Sequence, residues 1–294
     1  MTIARIVPRA ARDALGEGLL WSARDGAVYW TDILGQKLWR LLLADGTTRH
    51  WDMPEMIGWI IERAAGGFVV GLRSGFHQLS LDPFRLTPIA NPHPERPGNR
   101  LNDAKADARG RIWAGSMPVA AGPPATWPAS GALYRLDPDG QVSRHDDGLT
   151  IANGPALSPD GATLYHTDSA RSTVYRFALG PDGRLGPRAV HLVFPPEAGA
   201  PDGMACDAEG GLWIAFYNHD PAARSQVARF LPSGLFDRAI AVPTAHVTNL
   251  VFAGPRLDRM FITSASGGRD DPAAGALFEA DPGVVGLAPH MFGG

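Results

Sequence analysis

Along this chain, short apolar runs alternate with polar, glycine-containing turns, and the alternation recurs as a unit. Each unit holds a polar-Gly turn, an apolar strand, a second turn and a strand of aromatic and aliphatic residues. One copy is Asp25-Gly26-Ala27-Val28-Tyr29-Trp30-Thr31-Asp32, followed by Gln36-Lys37-Leu38-Trp39-Arg40-Leu41. Another is Asp160-Gly161-Ala162-Thr163-Leu164-Tyr165-His166-Thr167-Asp168, followed by Ser172-Thr173-Val174-Tyr175-Arg176-Phe177. Looser copies centre on Phe68-Val69-Val70-Gly71, Ile112-Trp113-Ala114-Gly115, Leu212-Trp213-Ile214-Ala215 and Met260-Phe261-Ile262-Thr263. The period, roughly 40–50 residues, is that of propeller blades of about four strands. The first strand of each copy is nearly all apolar, as expected between two neighbouring blades, and the second alternates. No stretch keeps a helical period over several turns. Six copies predict an all-β, six-bladed β-propeller, read as one domain over residues 1–294. The segments before Glu17 and after Gly275 are expected to share a blade, a strand exchange that closes the ring without a long free edge.

Composition agrees and removes several function classes. Hydrophobic residues make up 45% and charged residues 19%, enough for a core and unlike a disordered chain. A net charge of only −3 gives no electrostatic reason to expect nucleic acid or an anionic membrane surface as partner. The single cysteine, Cys206, excludes an internal disulfide and a cysteine-built zinc site, and it points to a reducing compartment. No apolar run reaches the ~18 residues that span a bilayer. The start, with Arg5, Arg9 and Arg12, lacks the apolar core of a signal peptide. The expectation is a cytoplasmic, soluble protein.

In a propeller, the strand that enters each polar-Gly turn lies innermost, so equivalent positions of different blades converge on one end of the channel. Those positions read Leu15-Gly16-Glu17-Gly18, Asn99-Arg100-Leu101-Asn102-Asp103, Ala152-Asn153-Gly154-Pro155, Pro201-Asp202-Gly203-Met204 and Thr248-Asn249; the second blade offers uncharged Met56-Ile57-Gly58-Trp59. Glu17, Asn102, Asp103, Asn153, Asp202 and Asn249 are therefore expected to share one small volume. Taken singly, Asn-Gly and Asp-Gly are ordinary hairpin signals. Their common phase across blades points to a site. Carboxylates crowded at a low-dielectric axis need charge compensation, and a hard divalent cation with oxygen ligands supplies it.

These residues resemble the regucalcin/gluconolactonase family of metal-dependent sugar lactonases, over nearly the whole chain from Leu15 to about Gly268. The resemblance rests on Leu15-Gly16-Glu17-Gly18 with Trp21, and on Asn99-Arg100-Leu101-Asn102-Asp103 leading into Gly110-Arg111-Ile112-Trp113-Ala114-Gly115-Ser116-Met117. It continues in Asn153-Gly154-Pro155, Ser158-Pro159-Asp160-Gly161, Tyr165-His166-Thr167-Asp168 and Pro201-Asp202-Gly203-Met204. It implies hydrolysis of a sugar lactone, with Glu17, Asn153 and Asp202 ligating one divalent ion (Ca²⁺, Mg²⁺, Mn²⁺, Zn²⁺ or Fe²⁺) and Arg100 and Asn102 binding substrate. Asp202 is the expected general base, since a carboxylate bound through one oxygen can accept a proton on the other. Asp103 and Asn249 are further substrate-site candidates from the convergence alone.

Two departures stand out. Leu19 replaces the usual proline after Glu-Gly, and the loop 118–128 carries no carboxylate where family members often place acidic residues toward sugar hydroxyls. That loop suggests a smaller or less hydroxylated ring. His219 is expected at a loop over the channel mouth as a possible substrate contact. His166 is expected in a structural hydrogen bond, Cys206 in the core, Trp30, Trp39, Trp113 and Trp213 as packing, and Trp59 or Trp127 along the pocket. Ser116, Ser158 and Ser264 lack a nucleophile-elbow context. The competing readings are another metal-assisted ester or phosphotriester hydrolysis, and a non-catalytic metal-binding or interaction propeller.

Overall fold

The structure is a computed structural model that describes residues 2–220, 223–269 and 271–294. Its strands form six sheets around a common axis, and each sheet is one blade. The innermost strands are Gly16–Ser22, Ile57–Glu62, Asn99–Ala106, Ala152–Leu157, Ala200–Cys206 and Val247–Ala253, each followed outward by antiparallel neighbours. The expected exchange is present. Arg5–Ile6 forms the outer strand of the sixth blade, with Arg5 opposite Glu279 and Ile6 opposite Phe278. Thr2–Ile3 goes further and pairs in parallel with the outer strand of the fifth blade, Phe236–Val242. Residues 2–6 thus stitch two adjacent blades. No α-helix occurs among the described residues, and no helix there is long and apolar enough to cross a membrane.

The repeated motif has a physical origin in buried aspartates. In the first blade the Asp32 carboxylate accepts the backbone N–H groups of Ala14 (3.0 Å) and Leu15 (2.9 Å), which pins the segment entering the inner strand. In the fourth blade Asp168 does the same for Thr150 (3.1 Å) and Ile151 (3.2 Å). Blades three and five share a different device, Asp-x-x-Gly-x-x-Trp. Asp107 accepts the Arg111 Nε (2.7 Å) and the Trp113 indole N–H (2.9 Å). Asp207 accepts the Arg229 Nε (2.6 Å) and the Trp213 indole N–H (2.8 Å).

Trp30, Trp113 and Trp213 are fully buried between blades, as expected of packing residues, and Cys206 lies in the core. Trp59 corrects its expectation as a pocket residue: it is packed against Phe76, Leu101 and Ile61. The short Gly71 leaves the space its ring fills, since a Cβ there would lie 2.3 Å from the indole.

His166 also differs from expectation. It is fully buried, yet neither ring nitrogen has a hydrogen-bond partner among the described residues. Alternation along its strand sets it on the same face as Leu164, which packs with Trp113 and Leu133, so the strand direction leaves it facing apolar groups. Burial, with Arg188 adding to it, lowers its pKa from 6.5 to about 3. Because the folded pKa is depressed, the unfolded chain binds more protons between those values, and stability is lost as pH falls below 6.5. This one group is expected to cost about 2 kcal/mol of stability between pH 7 and pH 5. Urea unfolding of wild type and His166→Phe at both pH values measures it; equal losses in the two proteins would remove His166 from the account.

The segment after the last strand runs under the ring as a strap. Ala208 donates its N–H to Val285 O at 2.9 Å, and Gly286 bridges Asp207. Leu287–His290 then cover an apolar cavity of about 280 Å³ at the far end of the channel, lined by Leu20, Ile60, Ala104, Ala156 and Leu250. Phe292 inserts between the second and third blades, with its N–H on Glu62 O at 2.8 Å, and Arg63 holds Gly294 O at 2.9 Å.

Candidate active site at the channel mouth

All six inner strands lose register with their neighbour at one level of the ring: between Glu17 and Leu20, Ile57 and Trp59, Leu101 and Ala104, Asn153 and Ala156, Pro201 and Met204, and Val247 and Leu250. A bulge places extra residues opposite its partner and re-aims their side chains. Asn102, Asp103, Asp202 and Asn249 lie within such bulges, and Glu17 and Asn153 open them. The bulges also bring backbones close together. Gly18 has φ of 56°, and a Cβ there would stand 2.5 Å from Gly58 O and 2.7 Å from Trp59 Cα, so only glycine fits.

Two hydrogen-bonded clusters follow. Asn249 Nδ2 donates to Glu17 Oε2 at 2.9 Å and to Asp103 Oδ2 at 3.1 Å, joining carboxylates that are far apart in sequence. The Gly18 and Ala104 N–H groups add a bond each to Glu17 (3.1 Å) and Asp103 (2.8 Å). Arg100 Nη1 donates to Asn102 Oδ1 at 2.7 Å, and Asn102 Nδ2 donates to Asn153 Oδ1 at 2.6 Å and Ala152 O at 2.8 Å. Asn153 Nδ2 donates to Ser169 Oγ at 2.9 Å, which in turn donates to Pro201 O at 2.6 Å. The Asp202 Oδ1 atom is buried without a hydrogen-bond partner among the described residues.

The electrostatics are those of a site short of positive charge. Burial, then Asp103, raises the Glu17 pKa to about 7. Burial raises Asp103 as well. Asp202 is pushed well above the carboxylate range by burial, then by Glu17 and Asp103. Burial lowers Arg100 to about 10, opposed by the attraction of Glu17 and Asp202. One guanidinium cannot balance three buried carboxyl groups, so Glu17 and Asp202 are held toward their protonated forms.

A divalent cation fits these residues. No group of three or more His, Cys, Asp and Glu side chains poised for a metal occurs among the described residues. The candidate donors are instead two carboxylates, Glu17 and Asp202, with the Asn153 amide oxygen. That all-oxygen set suits a hard ion, and the unpartnered Asp202 Oδ1 is the kind of buried acceptor such an ion satisfies.

Above these clusters opens a cavity of about 330 Å³. Glu17, Arg100, Asn102, Asn153 and Asp202 line it, with Trp127 and an exposed His219 higher up, so these sequence-derived candidates come together. Asp103 and Asn249 reach the axis but lie behind Glu17, and neither is part of the cavity wall. Lining residues that the sequence did not single out as site residues include Ser169, Met117 and Tyr217. Tyr217 stacks on His246 with ring centroids 4.3 Å apart. These three lie at or just beyond the last residues of the second strand of their blade, a phase that the inner-strand argument did not sample.

The sequence signature of the SMP-30/Gluconolactonase/LRE-like region matches residues 15–266. The chain is 33% identical to regucalcin of Xenopus laevis over 291 residues, covering 95% of both proteins. It is also 33% identical to 6-deoxy-6-sulfogluconolactonase of Pseudomonas putida, again with 95% of each covered. Its fold superimposes on the calcium-binding protein regucalcin of Agrobacterium tumefaciens with a TM-score of 0.89, at 27% identity and 99% coverage of both chains. Signature, sequence relatives and propeller architecture agree over almost the full length, and this chain belongs to the SMP-30/gluconolactonase/LRE-like family.

Proposed function

We propose that the chain hydrolyses a small lactone at the channel mouth, using one divalent cation held by Glu17, Asn153 and Asp202. The observation that carries this reading is the buried, unpartnered Asp202 Oδ1 beside a second crowded carboxyl group, on the floor of a cavity that also presents Arg100 and Asn102. The lactonase name of the Pseudomonas relative and the calcium-binding description of the Agrobacterium structure support it.

The chemistry that a bound cation supplies is Lewis acidity, which favours negative charge on a neighbouring oxygen. The chain's residues do the rest. With its charge compensated, Asp202 stays ionised and accepts a proton from the water that adds to the ring carbonyl. The carbonyl carbon–ring oxygen bond then breaks, and the ring oxygen takes that proton from Asp202. The product is an open-chain hydroxy acid, which ionises and releases one proton at neutral pH. Arg100, held by Asn102 at 2.7 Å, orients the substrate oxygens. Burial around these groups strengthens every one of these interactions.

Proton release from lactones, with the metal-stripped protein and each ion added back, tests the reaction. Turnover that needs no added ion, or tight ion binding with no turnover of any lactone, would refute it. Asn249 is a positioning residue in this scheme, since its amide bridges Glu17 and Asp103. Asn249→Ala is expected to weaken ion binding by roughly 10–100-fold, as loss of an outer support for a ligand does. Calorimetric titration of the stripped proteins reads this, with circular dichroism as the control for folding. Unchanged affinity in a folded variant would exclude the positioning role.

A further inference from the structure

The walls of the cavity are chemically uneven. Its floor is polar, and Tyr217 and His219 stand on the fifth-blade side. The arc from the third and fourth blades is built from Met117, Pro124, Trp127, Ile151 and Ala170, with the Ser169 hydroxyl at its base. The polar atoms near this arc are already committed. The Trp127 indole N–H donates to Ala121 O (3.2 Å) and Gly122 O (3.0 Å), and the Thr126 hydroxyl donates to Pro123 O (2.8 Å). The Ser169 hydroxyl donates to Pro201 O and accepts from Asn153. Pro118, Pro123, Pro124 and Pro128 have no N–H to offer. A sugar hydroxyl turned toward this arc would meet no free side-chain hydrogen-bond partner, whereas a methyl group would gain apolar contact.

We infer that the substrate is a deoxy- or alkyl-substituted lactone, whose ring carbon bonded to the ring oxygen carries a methyl or alkyl group that packs on Met117, Pro124 and Trp127. Hydroxyl groups, where present, face Tyr217 and His219. This rests on the lactonase reading and narrows it to a substrate class that a fully hydroxylated aldonolactone does not satisfy. The lid supports this fit: Pro124–Thr126 forms a 3₁₀ turn closed on itself, so the apolar wall is set before a ligand arrives.

Three probes on one six-membered ring decide it: D-glucono-1,5-lactone, its 6-deoxy analogue, and δ-hexanolactone, assayed with Mn²⁺, Zn²⁺ or Ca²⁺ present. The 6-deoxy ring is expected to exceed its parent in kcat/KM by at least tenfold, since an apolar pocket discriminates against an added hydroxyl by about 10²-fold. Trp127→Gln is expected to erase most of that preference, and Pro124→Ser, on the same half-exposed lid, serves as a second variant. Equal or faster turnover of the parent lactone overturns the substrate class and leaves the lactonase reading standing. A preference unchanged in both folded variants overturns the assignment of the wall. Hydrolysis of none of the three, with ion bound, overturns the lactonase reading itself and this inference with it.

Discussion

Asp202→Asn is expected to lower kcat by about 10²–10⁴-fold while KM stays within a few-fold, the size associated with losing a positioned general base. Asparagine keeps the shape of the side chain and one ligating oxygen, but it cannot take a proton from water. Its neutral amide also removes a buried carboxyl group that Glu17 and Asp103 both push toward its protonated form. The folded state should therefore be no less stable, and any loss of activity is chemical. Steady-state kinetics, together with calorimetric confirmation that the ion still binds, measure the effect. Near-normal turnover with ion bound would transfer the base role to another group.

Asp207→Ala is expected to remove about 3–5 kcal/mol of stability, the cost of stripping one partner from a buried ion pair. Asp207 is fully buried. Burial pushes its pKa up, but hydrogen bonds from Arg229, Trp213 and the Gly211 N–H outweigh that and hold it below the usual carboxylate value. Removing the carboxylate strands the Trp213 indole N–H and two backbone N–H groups, and it leaves Arg229 with only Glu209 and Asp237, each at 2.8 Å. For a chain of this size, Tm should fall by about 5–15 °C. A fall below about 2 °C in scanning calorimetry would show that the fifth blade does not depend on this turn.

The repeat was legible because each blade writes its turn chemistry locally. Asp107 and Asp207 stand six residues before Trp113 and Trp213, and the hydrogen bond that joins each pair sets that spacing. Thr31-Asp32 and Thr167-Asp168 recur because each aspartate caps its own blade's entry segment. The inner-strand carboxylates and amides were legible for a related reason: in a ring of similar units, equal phase means equal height on the axis. The bulges at that height left no local mark, since a bulge is a relation between two strands and not a residue type. Phase alone therefore brings Asp103 and Asn249 to the axis, while their position behind Glu17 depends on how the bulges pack. His166 shows a similar limit. Alternation identifies its strand, but whether an imidazole finds a partner depends on the neighbouring blade. The strap over 281–294 has neither period nor alternation, and its contacts reach across the ring to Glu62, Arg63 and Gly110. Trp59 and Trp127 look alike as isolated tryptophans, and only their surroundings separate the core residue from the cavity wall.

The strap also determines traffic. With the Glu17–Asn249–Asp103 cluster filling the middle, the upper cavity shares no lining residue with the lower one beside Leu287–His290, and it is a blind well. Whatever reaches Asp202 arrives and departs through the same opening beside Trp127 and His219. In the proposed reaction the acid formed there must back out before the next ring can enter, with its new carboxylate beside Arg100. Product and substrate therefore exclude one another. The ring-opened acid should act as a purely competitive inhibitor, and egress past the lid sets a ceiling on the turnover that improved chemistry at the floor could reach.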